Sequence, residues 1–265
     1  MLTKEYRERL RAQLQGMKGE VAMYYKNMVT GETFCYREND SLQPASVIKL
    51  PVFLRYLQLW AAGKIDPKEE LLVTDADRIG GCGALRAFHG DQRVSLETLW
   101  ELMITLSDNA ATNLLIKRLG REELNRAFRE EMGLRTTKIN RLLFDSEAAA
   151  KGIENEISAA EMGMLLEQIY RREFVDAATS AYAEEILARQ QINHKIPGYI
   201  SDWNMRIAHK TGEDDGIAND VGLVYAKQPF VLCCVSTHTC EREFEIFIRQ
   251  SAWDIFKDCG GAPEE

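Results

Sequence analysis

The sequence lacks the features that would place it in several functional classes. No run of roughly eighteen apolar residues occurs, so no membrane span is expected. The start, MLTKEYRERLRAQLQG, carries charge where a secretion signal has its apolar stretch. That predicts a cytoplasmic protein, or a periplasmic or secreted one if a leader has been removed. Basic charge is not in surplus: 33 Lys and Arg stand against 41 Asp and Glu, a net charge of −8, and the basic residues are scattered. No nucleic-acid partner is therefore expected. The six cysteines, at positions 35, 82, 233, 234, 240 and 259, form no Cys-x-x-Cys pair. The four histidines, His89, His194, His209 and His238, are dispersed. Neither a metal centre nor a cofactor is expected. Cys233 and Cys234 sit in an apolar run and read as buried free thiols on opposite faces of a strand, a usage suited to a reducing compartment. No repeat, low-complexity segment or Pro-rich linker divides the chain, so its parts should share an interface.

What is present is the composition of a globular protein. The 265 residues are 45% hydrophobic, enough for one large domain or two intimately packed ones. Residues 3–15 read as an amphipathic helix, and VAMYYKNMVTGETFCYREN alternates about a Thr-Gly turn as a β-hairpin does. Helical patterns follow at about 46–62, 95–105, 109–119, 121–131, 158–171 and 176–191. Strand patterns then return in RIAHKT, DVGLVYA and FVLCCVST, before a last amphipathic helix near 240–257. Trp60, Trp100, Trp203 and Trp253 read as core. The order predicts an α+β fold: an antiparallel sheet flanked by N- and C-terminal helices, with an all-helical domain inserted. The expected parts are residues 1–45 plus 195–265 and residues 46–194, with a cleft between them.

Three short motifs fall where such a cleft would be lined: Ser46-Val47-Ile48-Lys49, Ser107-Asp108-Asn109 and Lys210-Thr211-Gly212. Taken singly they read as a helix cap, a polar turn and a strand end. In this order, 61 and 103 residues apart (107 − 46 and 210 − 107), they resemble the three signature elements of the class A β-lactamases and penicillin-binding proteins, and the resemblance runs over nearly the whole chain. The chemistry is intelligible from the residues. A serine hydroxyl needs a nearby base, and three residues along a helix is one turn, which sets the Lys49 amine beside Ser46. Ser46 opens the helix, where exposed N–H groups favour the negative charge of an oxyanion. Lys49 acts as a base only if burial or a second cation, for which Lys210 is the candidate, lowers its pKa.

The resemblance implies more. Lys210 and Thr211 would reach the edge of the site, with the N–H of Glu213 as second oxyanion donor, although a glutamate is unusual there. Ser107 would shuttle a proton to the leaving nitrogen, Asn109 would hold the substrate amide and Lys49, and Asp108 would tie its loop. Asn219-Asp220 and His209 are expected to be structural. The loop IGGCGALRAF sets Cys82 where the family gates substrate access. The resemblance implies a small-molecule substrate, a β-lactam or an acyl-D-Ala-like amide, and a monomer. The sequence departs from the family in the loop after the second motif, where the Glu-x-x-Leu-Asn signature is missing. The stretch NRLLFDSEAAAKGIENEIS offers Asp145 and Glu147 as replacement bases, with capping or salt bridging as their alternative use, and also Glu154, Asn155 and Glu156. Its Arg141, Asp145, Glu147 and Gly152-Ile153-Glu154-Asn155 resemble a subgroup of β-lactamase-like serine hydrolases. Acylation and deacylation are separable, so a lactamase is expected first, with a D,D-peptidase, an esterase or a lactam sensor as alternatives.

Overall fold

The computed structural model describes residues 1–200 and 205–261; Trp203 lies outside them. Helix α1 (Lys4–Gly16) starts at Thr3, whose hydroxyl accepts from the Tyr6 N–H at 3.1 Å. Strands β1 (Glu20–Asn27) and β2 (Thr33–Tyr36) pair antiparallel across a turn at Gly31, whose φ of +74° glycine adopts without strain.

Helix α2 (Lys49–Ala61) follows a 3₁₀ turn, Ala45–Ile48. It is buried from Lys49 through Leu57 and mostly apolar, with Lys49 hydrogen-bonded and Arg55 paired to Glu123 and Glu131, as a helix running through a core must be. A two-stranded ribbon, β3 (Glu70–Val73) with β4 (Gln92–Ser95), comes next. After it come α3 (Leu96–Thr105), α4 (Asn109–Leu119), α5 (Arg121–Glu130), the short α6 (Ser146–Ala150), α7 (Ala159–Arg171) and α8 (Ala177–Ala188). The inserted segment is thus mostly helical but contains that ribbon, which the helical expectation omitted. Strands β5 (Ile207–Asp214), β6 (Ile217–Val224) and β7 (Phe230–Thr237) and helix α9 (Glu241–Asp258) complete the chain.

The main sheet runs β2-β1-β7-β6-β5 with every neighbour antiparallel. Side chains alternate between its faces. Val21, Met23, Tyr25, Leu232 and Cys234 pack with α1 and α9, whereas Ala22, Val231, Cys233 and Val235 join the core of the inserted helices. Both faces are covered, so β6 and β7 are buried end to end and read as apolar runs. Cys233 and Cys234 fall on opposite faces, as their adjacency requires, and burial pushes both thiols up in pKa. Strand β5 forms one edge and packs against the 3₁₀ turn that carries Ser46. No helix among the described residues is long and apolar enough to cross a membrane.

Candidate active site

The segment before Ser46 is held from the sheet: Asn219 Nδ2 donates to the Gln43 carbonyl at 2.9 Å, and the Gln43 N–H donates to Thr237 Oγ1 at 2.9 Å. Ala45 then takes a φ of +43°, a conformation that costs a residue with a Cβ about 1–3 kcal/mol and that the surrounding contacts must impose. Ser46 follows in the first turn, where backbone N–H groups have no partner within the helix.

One turn on, Lys49 is fully buried, and its Nζ lies 2.8 Å from Ser46 Oγ, 2.8 Å from Ser107 O, 3.0 Å from Ser107 Oγ and 2.7 Å from Asn109 Oδ1. Four oxygens surround a nitrogen that as an ammonium has only three protons. Ser107 O and Asn109 Oδ1 can only accept. A neutral amine satisfies both with its two N–H bonds and turns its lone pair to a hydroxyl. Burial first, and the charge of Lys210 second, lower the Lys49 pKa well below the usual lysine value. The cage therefore suits a neutral Lys49 positioned to receive the Ser46 proton.

Ser107 lies in the connection between α3 and α4 at a φ of +53°. Its Oγ bridges the two lysines, 3.0 Å from Lys49 Nζ and 3.1 Å from Lys210 Nζ. Asp108 caps α4: Oδ1 accepts from the Ala111 N–H at 2.9 Å, and Oδ2 accepts from the Leu85 N–H at 2.8 Å. It ties the loop, as the sequence reading had it. Asn109 Nδ2 donates to Gly80 O at 3.0 Å. The loop can lie this close because Gly81 and Gly83 lack side chains; a Cβ on Gly83 would meet Asp108 Cγ at 2.3 Å.

Strand β5 brings the third motif alongside. Lys210 is fully buried, donates to Thr211 O at 2.8 Å, and is pushed down to about 7: burial lowers its pKa, Asp220 partly restores it, and Lys195 lowers it again. Gly212 faces the nucleophile turn so closely that a Cβ would sit 2.6 Å from Pro44 O and 3.1 Å from Val47 N. The Glu213 side chain goes to Lys195 Nζ at 2.5 Å and His194 Nε2 at 2.9 Å. Burial alone would raise the Glu213 pKa, but the hydrogen bond and charge of Lys195 outweigh it and hold it below the usual glutamate value. His194, Glu213 and Glu245 form a cluster of metal-ligating types, although the Lys195 ammonium already neutralises its central carboxylate. His209 is buried between Asp220, 3.0 Å from Nδ1, and Asn193, 2.9 Å from Nε2.

Ser46 and Asn109 line a cavity of about 290 Å³ with Cys82, Arg141, Leu143, Asp145, Glu154 and Asp214. Of the two replacement bases read from the sequence, Asp145 lines this cavity and caps α6, its Oδ1 accepting from Ala148 N–H at 3.0 Å. Glu147 is exposed in the first turn of α6 and does not line the cavity. Glu154 lines it but is paired to Arg141 at 2.7 Å. Asn155 Oδ1 accepts from the backbone N–H groups of Asn140 and Arg141, at 2.8 and 2.9 Å, and so closes the neck of the loop.

Sequence reasoning passed over Lys195, buried without any motif around it, and the pair Asn113 and Leu143. The Asn113 amide receives the Leu143 N–H at 2.9 Å and donates to the Leu143 carbonyl at 2.9 Å, fixing that apolar residue in the cavity wall. Asn113 follows Asn109 by four residues on α4, the spacing of one helix face, and that was the available signal.

A family model described as the beta-lactamase enzyme family matches residues 5–258. A β-lactamase of Streptomyces lavendulae is 25% identical, the match covering 86% of this chain and 77% of that protein. Among solved structures, the β-lactamase of Sphaerobacter thermophilus DSM 20745 superposes with a TM-score of 0.87 at 23% identity, covering 97% of this chain and 98% of that one. The structure of PBP-A superposes with a TM-score of 0.87 at 24% identity, covering 98% of this chain and 97% of that one. At such identities the structural likeness concerns the fold.

Proposed function

The chain belongs to the beta-lactamase enzyme family and is a serine hydrolase of the β-lactamase type, and from that premise we propose that it opens β-lactam amides through an acyl-enzyme on Ser46. Neutral Lys49 takes the Ser46 proton as Oγ bonds to the carbonyl carbon. The backbone N–H groups of Ser46 and Glu213 receive the developing oxyanion. As the C–N bond breaks, the proton passes from Lys49 through Ser107 Oγ to the leaving nitrogen. Lys210 and Thr211 bind the substrate carboxylate, Asn109 orients the amide, and Gly212 leaves room for both. For the second step a water molecule, activated by Asp145, releases the acyl group; Asp145 spends one carboxylate oxygen on capping α6 and keeps the other for water. Glu147 has no part in this scheme. The enzyme works as a monomer on a small-molecule substrate, its cleft lying between an α/β part (1–45 plus 195–265) and a helical part (46–194).

The observation that carries this reading is the continuous path from Ser46 Oγ to Lys49 Nζ to Ser107 Oγ to Lys210 Nζ, with links of 2.8, 3.0 and 3.1 Å. An intact-mass time course with benzylpenicillin and a chromogenic cephalosporin tests it. Turnover, with a transient adduct in the unaltered protein and none in Ser46→Ala, is expected. No adduct or turnover with any lactam would overturn the substrate assignment. A long-lived adduct would overturn the proposed second step and leave the first.

A further inference from the structure

The charged residues lining the cavity are Arg141, Asp145, Glu154, Glu213 and Asp214. Two of the carboxylates are neutralised locally: Glu154 by Arg141 at 2.7 Å and Glu213 by Lys195 at 2.5 Å. Asp145 and Asp214 have no cationic partner among the described residues, and residues 201–204 and 262–265 contain no Lys, Arg or His. The position of Asp214 follows from strand geometry. Lys210, Gly212 and Asp214 alternate onto one side of β5, and the Gly212 position on that side faces Pro44 O and Val47. Asp214 therefore stands two residues beyond the closest approach to the nucleophile turn, on the same side, while Asp145 comes from the loop that leads into α6. The cleft is polarised. The Lys49 and Lys210 amines are fully buried behind Ser46 and outside the lining, joined to it through Ser46 Oγ and Ser107 Oγ, whereas half-buried Asp145 and exposed Asp214 line the cavity uncompensated, with Leu143 and Ile217.

We propose that Asp214, the exposed and unpaired carboxylate lining the Ser46 cavity, selects substrates that are zwitterionic, with a carboxylate on the leaving-group side and an ammonium on the acyl side chain that meets Asp214, while Asp145 adds to the negative field and remains free for water. The inference rests on the acyl-transfer reading above and names its substrate class. Selection works in both directions, because the carboxylates attract an ammonium and repel a second carboxylate, and a specificity ratio contains both effects.

Three penicillins with the same phenylacetyl frame test it: ampicillin carries an ammonium, benzylpenicillin a hydrogen and carbenicillin a carboxylate at one carbon. Second-order acylation rates of Ser46 are measured at pH 6.5, below the ordinary pKa of an α-amino group, in about 20 mM and about 0.5 M salt. Exposed charge pairs change rates a few-fold each, so ampicillin should react about tenfold faster than carbenicillin at low salt, with benzylpenicillin between. The ratio should shrink to about threefold in high salt, and Asp214→Asn should reduce it by about threefold at low salt while leaving the benzylpenicillin rate within about twofold. Equal rates for the three compounds, or carbenicillin reacting fastest, would overturn the inference and leave the acyl-transfer reading standing. A salt-independent order would also overturn it, because shape rather than charge would then be doing the selecting. No Ser46 adduct with any of the three would overturn the acyl-transfer reading itself, and the inference with it.

Discussion

Gly212→Ala is the most demanding test of how strand β5 serves the nucleophile. A Cβ there would lie 2.6 Å from the Pro44 carbonyl oxygen, whereas ordinary contact begins at 3.4 Å, so the strand and the turn must part by about 3.4 − 2.6 = 0.8 Å. The two backbone atoms that the Cβ meets, Pro44 O at 2.6 Å and Val47 N at 3.1 Å, cannot swing away as the Val47 side chain can. The separation moves the Glu213 N–H away from Ser46, and a misplacement of about 1 Å costs on the order of a hundredfold in rate. Overpacking of this kind also destabilises by about 1–3 kcal/mol, which at roughly 2–4 °C per kcal/mol for a chain of this size lowers Tm by about 2–12 °C. The assay is kcat/KM on a chromogenic cephalosporin beside a calorimetric melt. A variant with activity within about twofold of the unaltered protein would refute the close-approach argument. A variant that loses activity at unchanged Tm would locate the effect in the oxyanion site rather than in folding.

The remaining predictions concern the cage, the loop and the cap. Lys210 is charged below about 7 and neutral above it, so kcat/KM for a carboxylate-bearing lactam should fall as pH rises through 7. Because the Lys210 charge depresses the Lys49 pKa, Lys210→Gln should move the acid limb of the acylation profile to higher pH; an unmoved limb would mean that the two lysines do not communicate. Leu143 lines the cavity with its backbone pinned by Asn113, so in an Asp145→Asn background, which should lengthen the life of the acyl-enzyme, Leu143→Glu should bring a carboxylate back to it and speed its breakdown at least about tenfold over Asp145→Asn alone in single-turnover mass measurements. No acceleration would contradict that orientation. Asp108→Ala removes the acceptor of two buried N–H groups and should cost about 2–4 kcal/mol in denaturant unfolding. Asp108→Asn should recover part of that stability.

Much of the fold was legible where one local rule acts alone. Tyr24 and Cys35 pair across a hairpin whose alternation and Thr30-Gly31 turn announce it. The helical pattern at about 46–62 was legible as well, and α2 fills most of it. The β3 and β4 ribbon was not legible, because four-residue strands with mixed exposure leave too short a periodic signal beside long helices. Ser46 and Lys49 were found by spacing, since one helical turn converts a separation of three residues into proximity, whereas Ser107 and Lys210 were found by the resemblance of their motifs to the family's signature elements. The loop after Asn140 resisted the same reasoning. Without regular geometry, position along the chain does not give direction, and so Glu147 points to solvent while Leu143 and Glu154 line the cavity. Lys195 was invisible because its role depends on Glu213, 18 residues away on β5.

The central claim is that an acyl group resides covalently on Ser46. Acid-quenching the enzyme within milliseconds of mixing with benzylpenicillin, followed by proteolysis and tandem mass spectrometry, tests it most directly. The account predicts the benzylpenicilloyl mass on the peptide containing Ser46 and no modification in Ser46→Ala. Cys82, an exposed thiol lining the same cavity, is the competing nucleophile, and the adduct mass on the Cys82 peptide, with Ser46 unmodified, would contradict it.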